Sequence, residues 1–290
     1  MGEVGTCMFK IVTKKVLSEV NKLMEIEAPL VARKAKPGQF IILRVRENGE
    51  RIPLTIADSN KEKGTITIIF QEIGKTTKQL GTLEEGDYLS DFVGPLGKPM
   101  ELPSTPGRVI AVGGGVGIAP IYPKVKAFHE AGMEVISIIG ARTADLLILE
   151  DEMRAVSKEL HICTDDGTKG HHGFVSDILQ TMLDDKSKKI DEIIAVGPLP
   201  MMRVVANQTR PYGVKTLVSL NPIMVDGTGM CGCCRVTVGG ETKFSCVDGP
   251  VFDAHQVDFE ELTRRSRTYL SEEKTALEKF EHECRCGGGN

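Results

Sequence analysis

Thiols and a carboxylate crowd into one short stretch, Met224-Val225-Asp226-Gly227-Thr228-Gly229-Met230-Cys231-Gly232-Cys233-Cys234-Arg235, and eleven residues separate Cys234 from Cys246. Cys231 and Cys234 form C-x₂-C. Thiolates at such spacings hold iron, and the plant-type [2Fe–2S] pattern is C-x₄-C-x₂-C…C. The position that pattern gives to its first cysteine is Asp226, so the chain reads D-x₄-C-x₂-C-x₁₁-C. Asp226, Cys231, Cys234 and Cys246 are therefore the expected metal ligands. A carboxylate is a harder, less covalent donor than a thiolate and should shift the potential of a cluster. Zinc is the competing ion, since three cysteines and a carboxylate also fill a tetrahedral site. The single ferredoxin-like loop and the nucleotide-type segment upstream favour iron–sulfur. Cys233 reads as a bystander thiol, able to replace Asp226 if the loop re-registers.

A second constellation is Val112-Gly113-Gly114-Gly115-Val116-Gly117-Ile118-Ala119-Pro120. It follows an expected strand and opens an expected helix. Glycines admit positive φ and let the backbone approach a pyrophosphate, and the helix amides add partial positive charge. The spacing is not G-x-G-x-x-G, so the usual dinucleotide fingerprint is absent. Later segments fall just past expected strand ends, where ligands bind in open α/β sheets. They contain Arg142, Asp165, Gly197 and Met201. Gly113, Gly114, Gly115, Gly117, Ala119, Pro120, Arg142, Asp165, Gly197 and Met201 make up the expected nucleotide site.

The elements that must position these residues change character along the chain. Residues 1–103 carry short apolar or alternating runs, Phe9 to Val16, Phe40 to Val45, Ile52 to Ala57, Thr65 to Phe70 and Tyr88 to Val93, separated by turn-formers. Strands at this spacing indicate a small barrel or sandwich. A Pro/Gly linker at 102–107 ends that region. Strand and helix then alternate to residue 220, which indicates a parallel sheet with covering helices. Residues 221–250 form the cysteine module, and 251–290 a polar tail, helical from Ser271 to His282.

The chain has 290 residues, is 41% hydrophobic and 26% charged, and carries a formal net charge of −4. It can bury real cores, and it lacks the basic footprint of a nucleic-acid binder. Apolar runs are strand-length, so no membrane span is expected. No secretory signal is visible at the N-terminus, and the eight cysteines are not spread as a secreted disulfide scaffold would spread them. A cytoplasmic location is expected. Cys7, Cys163, Cys284 and Cys286 receive no role.

Taken with Arg51-Ile52-Pro53-Leu54-Thr55-Ile56, Gly74-Lys75-Thr76-Thr77, Gly94-Pro95-Leu96-Gly97 and Gly197-Pro198, the order barrel, nucleotide domain, ferredoxin-type loop resembles the ferredoxin–NADP reductase superfamily. Within it the chain resembles the branch of dihydroorotate dehydrogenase electron-transfer subunits, over roughly residues 5 to 280. The resemblance implies FAD on the barrel, NAD(H) on the nucleotide domain and a [2Fe–2S] cluster facing a partner. It implies flavin contacts at Arg51, Pro53, Leu54 and Thr55, with Arg51 four positions before Thr55 where relatives often have three. Gly74, Thr76 and Thr77 correspond to the flavin phosphate segment, and Ile69 and Phe70 would line the same pocket or serve as plain core.

The aspartate in place of the first cysteine points to the electron-bifurcating members of the branch. These imply a larger flavin and iron–sulfur subunit in a heterodimer, with ferredoxin and NADP reached indirectly through it. A dihydroorotate dehydrogenase subunit and a standalone NAD(P)H:acceptor reductase remain the alternatives. Hydride transfer to flavin needs no side-chain acid or base, so no catalytic residue is nominated.

Overall fold

A computed structural model describes residues 8–286, with the side chains of 284–286 outside the description, as is Cys7. The first region contains β1 (Phe9–Val16), β2 (Asn21–Glu27), α1 (Pro29–Lys34), β3 (Phe40–Arg44), β4 (Arg51–Asn60), β5 (Thr65–Gln71), α2 (Lys75–Gly81), β6 (Tyr88–Leu89) and β7 (Asp91–Leu96). The strands pair antiparallel in the order β6-β1-β2-β5-β4-β3-β7, a nearly closed barrel. Ile11, Met24, Ile26, Ile41, Leu43, Ile66, Ile68 and Phe70 fill its interior. β2 and α1 are additions to the sequence reading. The charged Lys22, Glu25 and Glu27 dilute the β2 run, yet its buried Met24 and Ile26 alternate as strand geometry requires.

The nucleotide region follows with β8 (Arg108–Gly114), α3 (Ile118–Glu130), β9 (Glu134–Ala141), α4 (Glu150–Ala155), β10 (Glu159–Thr164), β11 (His171–His172), α5 (Val175–Asp184), β12 (Glu192–Val196), α6 (Leu199–Thr209) and β13 (Lys215–Ser219). The sheet order is β11-β10-β9-β8-β12-β13 followed by β16 (Val251–Asp253), parallel except at the last pair. β8 lies between β9 and β12, so the strand order reverses there. A crevice opens at such a switch point, beyond the strands' C-terminal ends.

The remaining elements are β14 (Arg235–Val238), β15 (Glu241–Phe244), β16 (Val251–Asp253), α7 (Phe259–Arg265) and α8 (Leu270–Cys286). β14 and β15 form a hairpin behind the cysteine loop. β16 then returns to pair antiparallel with β13 of the nucleotide sheet. Phe252, Phe259 and Leu262 enter that domain's core, so the segment after 250 is anchored before its terminal helix begins. These apolar residues are too sparse for periodicity to reveal them. α8 crosses back to pack on α2, where Lys78 donates to Glu281 at 2.5 Å. Among the described residues no helix is long and apolar enough to cross a membrane.

Candidate functional site

A cavity of about 780 Å³ opens where barrel, nucleotide sheet and cysteine module meet. Its barrel wall is β4, from which Pro53, Leu54 and Thr55 line it. Thr55 stands opposite Phe40 in the β3–β4 ladder, and Phe40 also lines the cavity. Asn21 and Gln71, paired across β2 and β5, complete this side. Asn21 is almost fully buried, and its Nδ2 donates to Ser18 Oγ at 2.9 Å. Its Oδ1 has no partner, so a buried acceptor is available at the wall. Sequence reading missed Asn21, which looks like an ordinary turn residue until β2 pairs with β5.

The opposite wall is the glycine turn. Gly114, Gly115, Val116 and Gly117 line the cavity, with Pro120 one helical turn further. Gly115 adopts φ +56° with open space around a would-be Cβ, which suits close approach by a ligand. Gly114 serves packing instead. A Cβ there would meet Met201 Sδ at 2.4 Å, and one on Gly197 would meet Met201 Cε at 2.7 Å. Met201 fills the space these glycines leave, and both Gly197 and Met201 reach the cavity. Gly113 and Ala119 lie behind the wall: Ala119 belongs to the core, and Gly113 faces Ile118 and Ile121. Arg142 and Asp165 line the cavity from the ends of β9 and β10.

The flavin-type phosphate segment sits outside this cavity. Thr77 caps α2, accepting from the Gly74 amide at 3.0 Å. Thr76 donates its hydroxyl to the Glu50 carboxylate. Next to Glu50, Arg51 has a buried Nε with no partner, an orphaned donor that suits an anion. Ile69 and Phe70 do not line the cavity. Phe70 fills the barrel interior, while Ile69 packs into the core shared with the nucleotide sheet. Neighbouring strand residues point to opposite faces, so the two share no wall.

The cysteine loop closes the third side through Met224. Met224, Cys234 and Cys246 form a small core with Phe40 and Ile42 of the barrel. Cys234 Sγ and Cys246 Sγ lie 3.1 Å apart, and the Cys246 amide donates to Cys234 Sγ at 3.4 Å. Burial pushes the Cys246 thiol up to about 12. In the loop between Asp226 and Cys231, Gly229 adopts φ +86° and its amide points at the Cys246 sulfur. Cys231 is exposed. Asp226 accepts from the Cys231 amide at 2.8 Å and from the Thr228 hydroxyl at 2.8 Å. Hydrogen bonds led by the Thr228 amide hold its carboxyl well below the usual range.

Two of the four expected ligands are thus in contact, and the other two are tied to each other through the Cys231 amide. Among the described residues no three His, Cys, Asp or Glu side chains are already gathered as a metal site. The donor chemistry nevertheless fits an iron–sulfur cluster: soft thiolates in an apolar pocket, an adjacent carboxylate, and a backbone amide aimed at sulfur. The partnerless Arg51 Nε, the free Asn21 Oδ1 and the open cavity likewise fit a flavin dinucleotide. Cys163 also lines the cavity, but burial raises its thiol to about 12, which leaves it a poor nucleophile.

Two stretches of the chain match known protein families. Residues 111–207 match the family model for an oxidoreductase NAD-binding domain, and 221–258 match that for the iron–sulfur cluster binding domain of dihydroorotate dehydrogenase B. The chain is 52% identical to the "uncharacterized protein in adh 3′region" of Clostridium beijerinckii, over 97% of this chain and 98% of that one. It is 47% identical to a dihydroorotate dehydrogenase B (NAD(+)) electron transfer subunit homolog of Thermotoga maritima, over 95% and 96% of the two chains. A solved structure of NADH-dependent reduced ferredoxin–NADP oxidoreductase, reported for insights into flavin-based electron bifurcation, contains a chain 45% identical to this one. The two superpose with a TM-score of 0.88 over 96% of this chain and 99% of that one.

Proposed function

The chain belongs to the family of dihydroorotate dehydrogenase B electron-transfer subunits, and from that premise we propose that it is the NAD(H)-linked subunit of an electron-bifurcating NADH/ferredoxin/NADP oxidoreductase. It is an oxidoreductase subunit of the FAD, [2Fe–2S] and NAD(H) type. The observation that carries the proposal is Phe40, which lines the large cavity and packs against the paired cysteines. Together with Met224, which does the same from the cysteine loop, it joins the redox cavity to the cluster pocket.

Bound flavin supplies the conversion between two-electron and one-electron chemistry. The residues of the chain position and insulate. Gly115 and the amides at the start of α3 receive a dinucleotide phosphate, with Arg142 and Asp165 at the far end of the cavity. Thr55 offers a hydroxyl and Asn21 a carbonyl oxygen to the flavin ring, and Arg51 offers its free Nε to the flavin phosphates. Asp226, Cys231, Cys234 and Cys246 hold the cluster, with the exposed Cys231 on the side that meets the partner. The partner is a larger flavin and iron–sulfur subunit, through which ferredoxin and NADP are reached. Cysteines gathered in one ferredoxin-type loop, instead of being spread as a disulfide framework, support a cytoplasmic location.

Two observations favour the bifurcating branch: the 45% identity to the bifurcating enzyme's chain, and an aspartate where the plant-type pattern has cysteine. Affinity purification of the chain from anaerobic native cells tests the assignment. Recovery with a larger flavin and iron–sulfur subunit that catalyses NADH- and ferredoxin-dependent NADP reduction supports it. Recovery with a dihydroorotate-oxidising barrel overturns it.

A further inference from the structure

A second hollow, of about 610 Å³, lies between α2 and the C-terminal helix α8. Lys75 lines it from α2, and Lys279 and Phe280 line it from α8. The Lys78–Glu281 pair at 2.5 Å ties its two walls together. One edge adjoins the flavin segment. Lys75 Nζ lies 3.6 Å from Glu50 Oε1, and Glu50 also accepts the Thr76 hydroxyl. The next residue is Arg51, with its buried and partnerless Nε. Four residues on, Thr55 reaches the main cavity. Main cavity, Arg51, Lys75 and hollow thus follow one another through chain neighbours and direct contacts.

Resting on the flavin reading above, we infer that the α2–α8 hollow holds the adenosine end of FAD, with Lys75 and Lys279 on its phosphates and Phe280 against the adenine. Two ammonium groups complement a diphosphate, and the ring of a phenylalanine offers an apolar face to a purine. Glu272 and Glu283, which also line the hollow, are acceptors for ribose hydroxyls. The C-terminal helix is then part of the cofactor site rather than a polar tail. It also selects the dinucleotide, because FMN lacks the adenylate that this hollow receives.

Deflavinated full-length protein titrated separately with FAD and FMN, followed by flavin fluorescence, tests this. Lys279→Gln and Phe280→Ala are each expected to weaken FAD at least about fivefold while FMN affinity stays within about twofold. Lys279 is exposed, so Lys279→Gln keeps the fold and the test stands even where Phe280→Ala loosens α8. Unchanged FAD affinity in Lys279→Gln overturns the inference and leaves the flavin reading intact. Equal losses of FAD and FMN also overturn it, since they mark a general disturbance. Failure of the wild-type chain to bind either flavin overturns both readings.

Discussion

Phe40 and Thr55 face each other across the β3–β4 ladder, and only one of them also belongs to the cysteine pocket. Thr55 presents its side chain to the large cavity, whereas Phe40 lines that cavity and packs with Cys234 and Cys246. This cross-strand pair therefore forms part of the boundary between flavin-type cavity and cluster pocket, with Ile42 beside Phe40 on the cysteine side. Phe40 is 3% exposed. Phe40→Ala should cost about 3 to 5 kcal/mol and speed iron loss, with Phe40→Leu milder. Denaturant unfolding and the rate of iron release to a chelator check both.

Asp226 combines two tasks: its carboxylate caps the Thr228 and Cys231 amides, and it occupies the first-ligand position of the pattern. Asp226→Cys should keep about two irons per chain while changing the cluster's midpoint potential and EPR spectrum. An unaltered potential and spectrum would show that Asp226 is only a cap.

Gly115 faces open space at φ +56°, so Gly115→Ala meets no clash and only backbone strain. That strain is about 1 to 2 kcal/mol. The added methyl also projects into the open space where the proposed dinucleotide phosphate would lie. A several-fold rise in KM for NADH with unchanged flavin content is expected, read from steady-state kinetics. Gly117 differs, because a Cβ there would sit 2.3 Å from Val196 O. Gly117→Ala should lower Tm as well.

Lys124 is fully buried in α3, with Nζ donating to Pro120 O at 2.7 Å. Burial lowers its amine from 10.5 to about 7. The folded chain then binds fewer protons than the unfolded chain between pH 7 and 10.5, so stability rises with pH across that window. Below it the penalty is fully present, on the order of 4 to 5 kcal/mol. Lys124→Met should be more stable than wild type at neutral pH and lose most of this slope. Urea titrations at several pH values measure it.

Much of the candidate site could be read from the sequence because its spacing is local. Asp226 to Cys246 and the Gly113–Gly117 run each lie on one loop, so residue type and interval carry the chemistry. The alternation after residue 107 likewise foretold the parallel sheet. Asn21 was not legible, because only the β2–β5 pairing brings it to the cavity. Nor was the return of Val251–Asp253 to β13, a three-residue strand that no periodicity marks. The packing of α8 on α2, which includes the Lys78–Glu281 ion pair, joins residues about two hundred positions apart. Ile69 and Phe70 show the limit of motif transfer: adjacent on β5, they face opposite sides.

Electron passage from NAD(H) through the barrel cavity to the cysteine pocket is tested most directly on the anaerobically purified chain. Iron, zinc and flavin are quantified, then NADH is added and the EPR spectrum recorded. The expected result is FAD with about two irons per chain and a reduced-cluster signal that NADH elicits. A colourless, zinc-containing chain without flavin, or a cluster that NADH leaves unreduced, would contradict it.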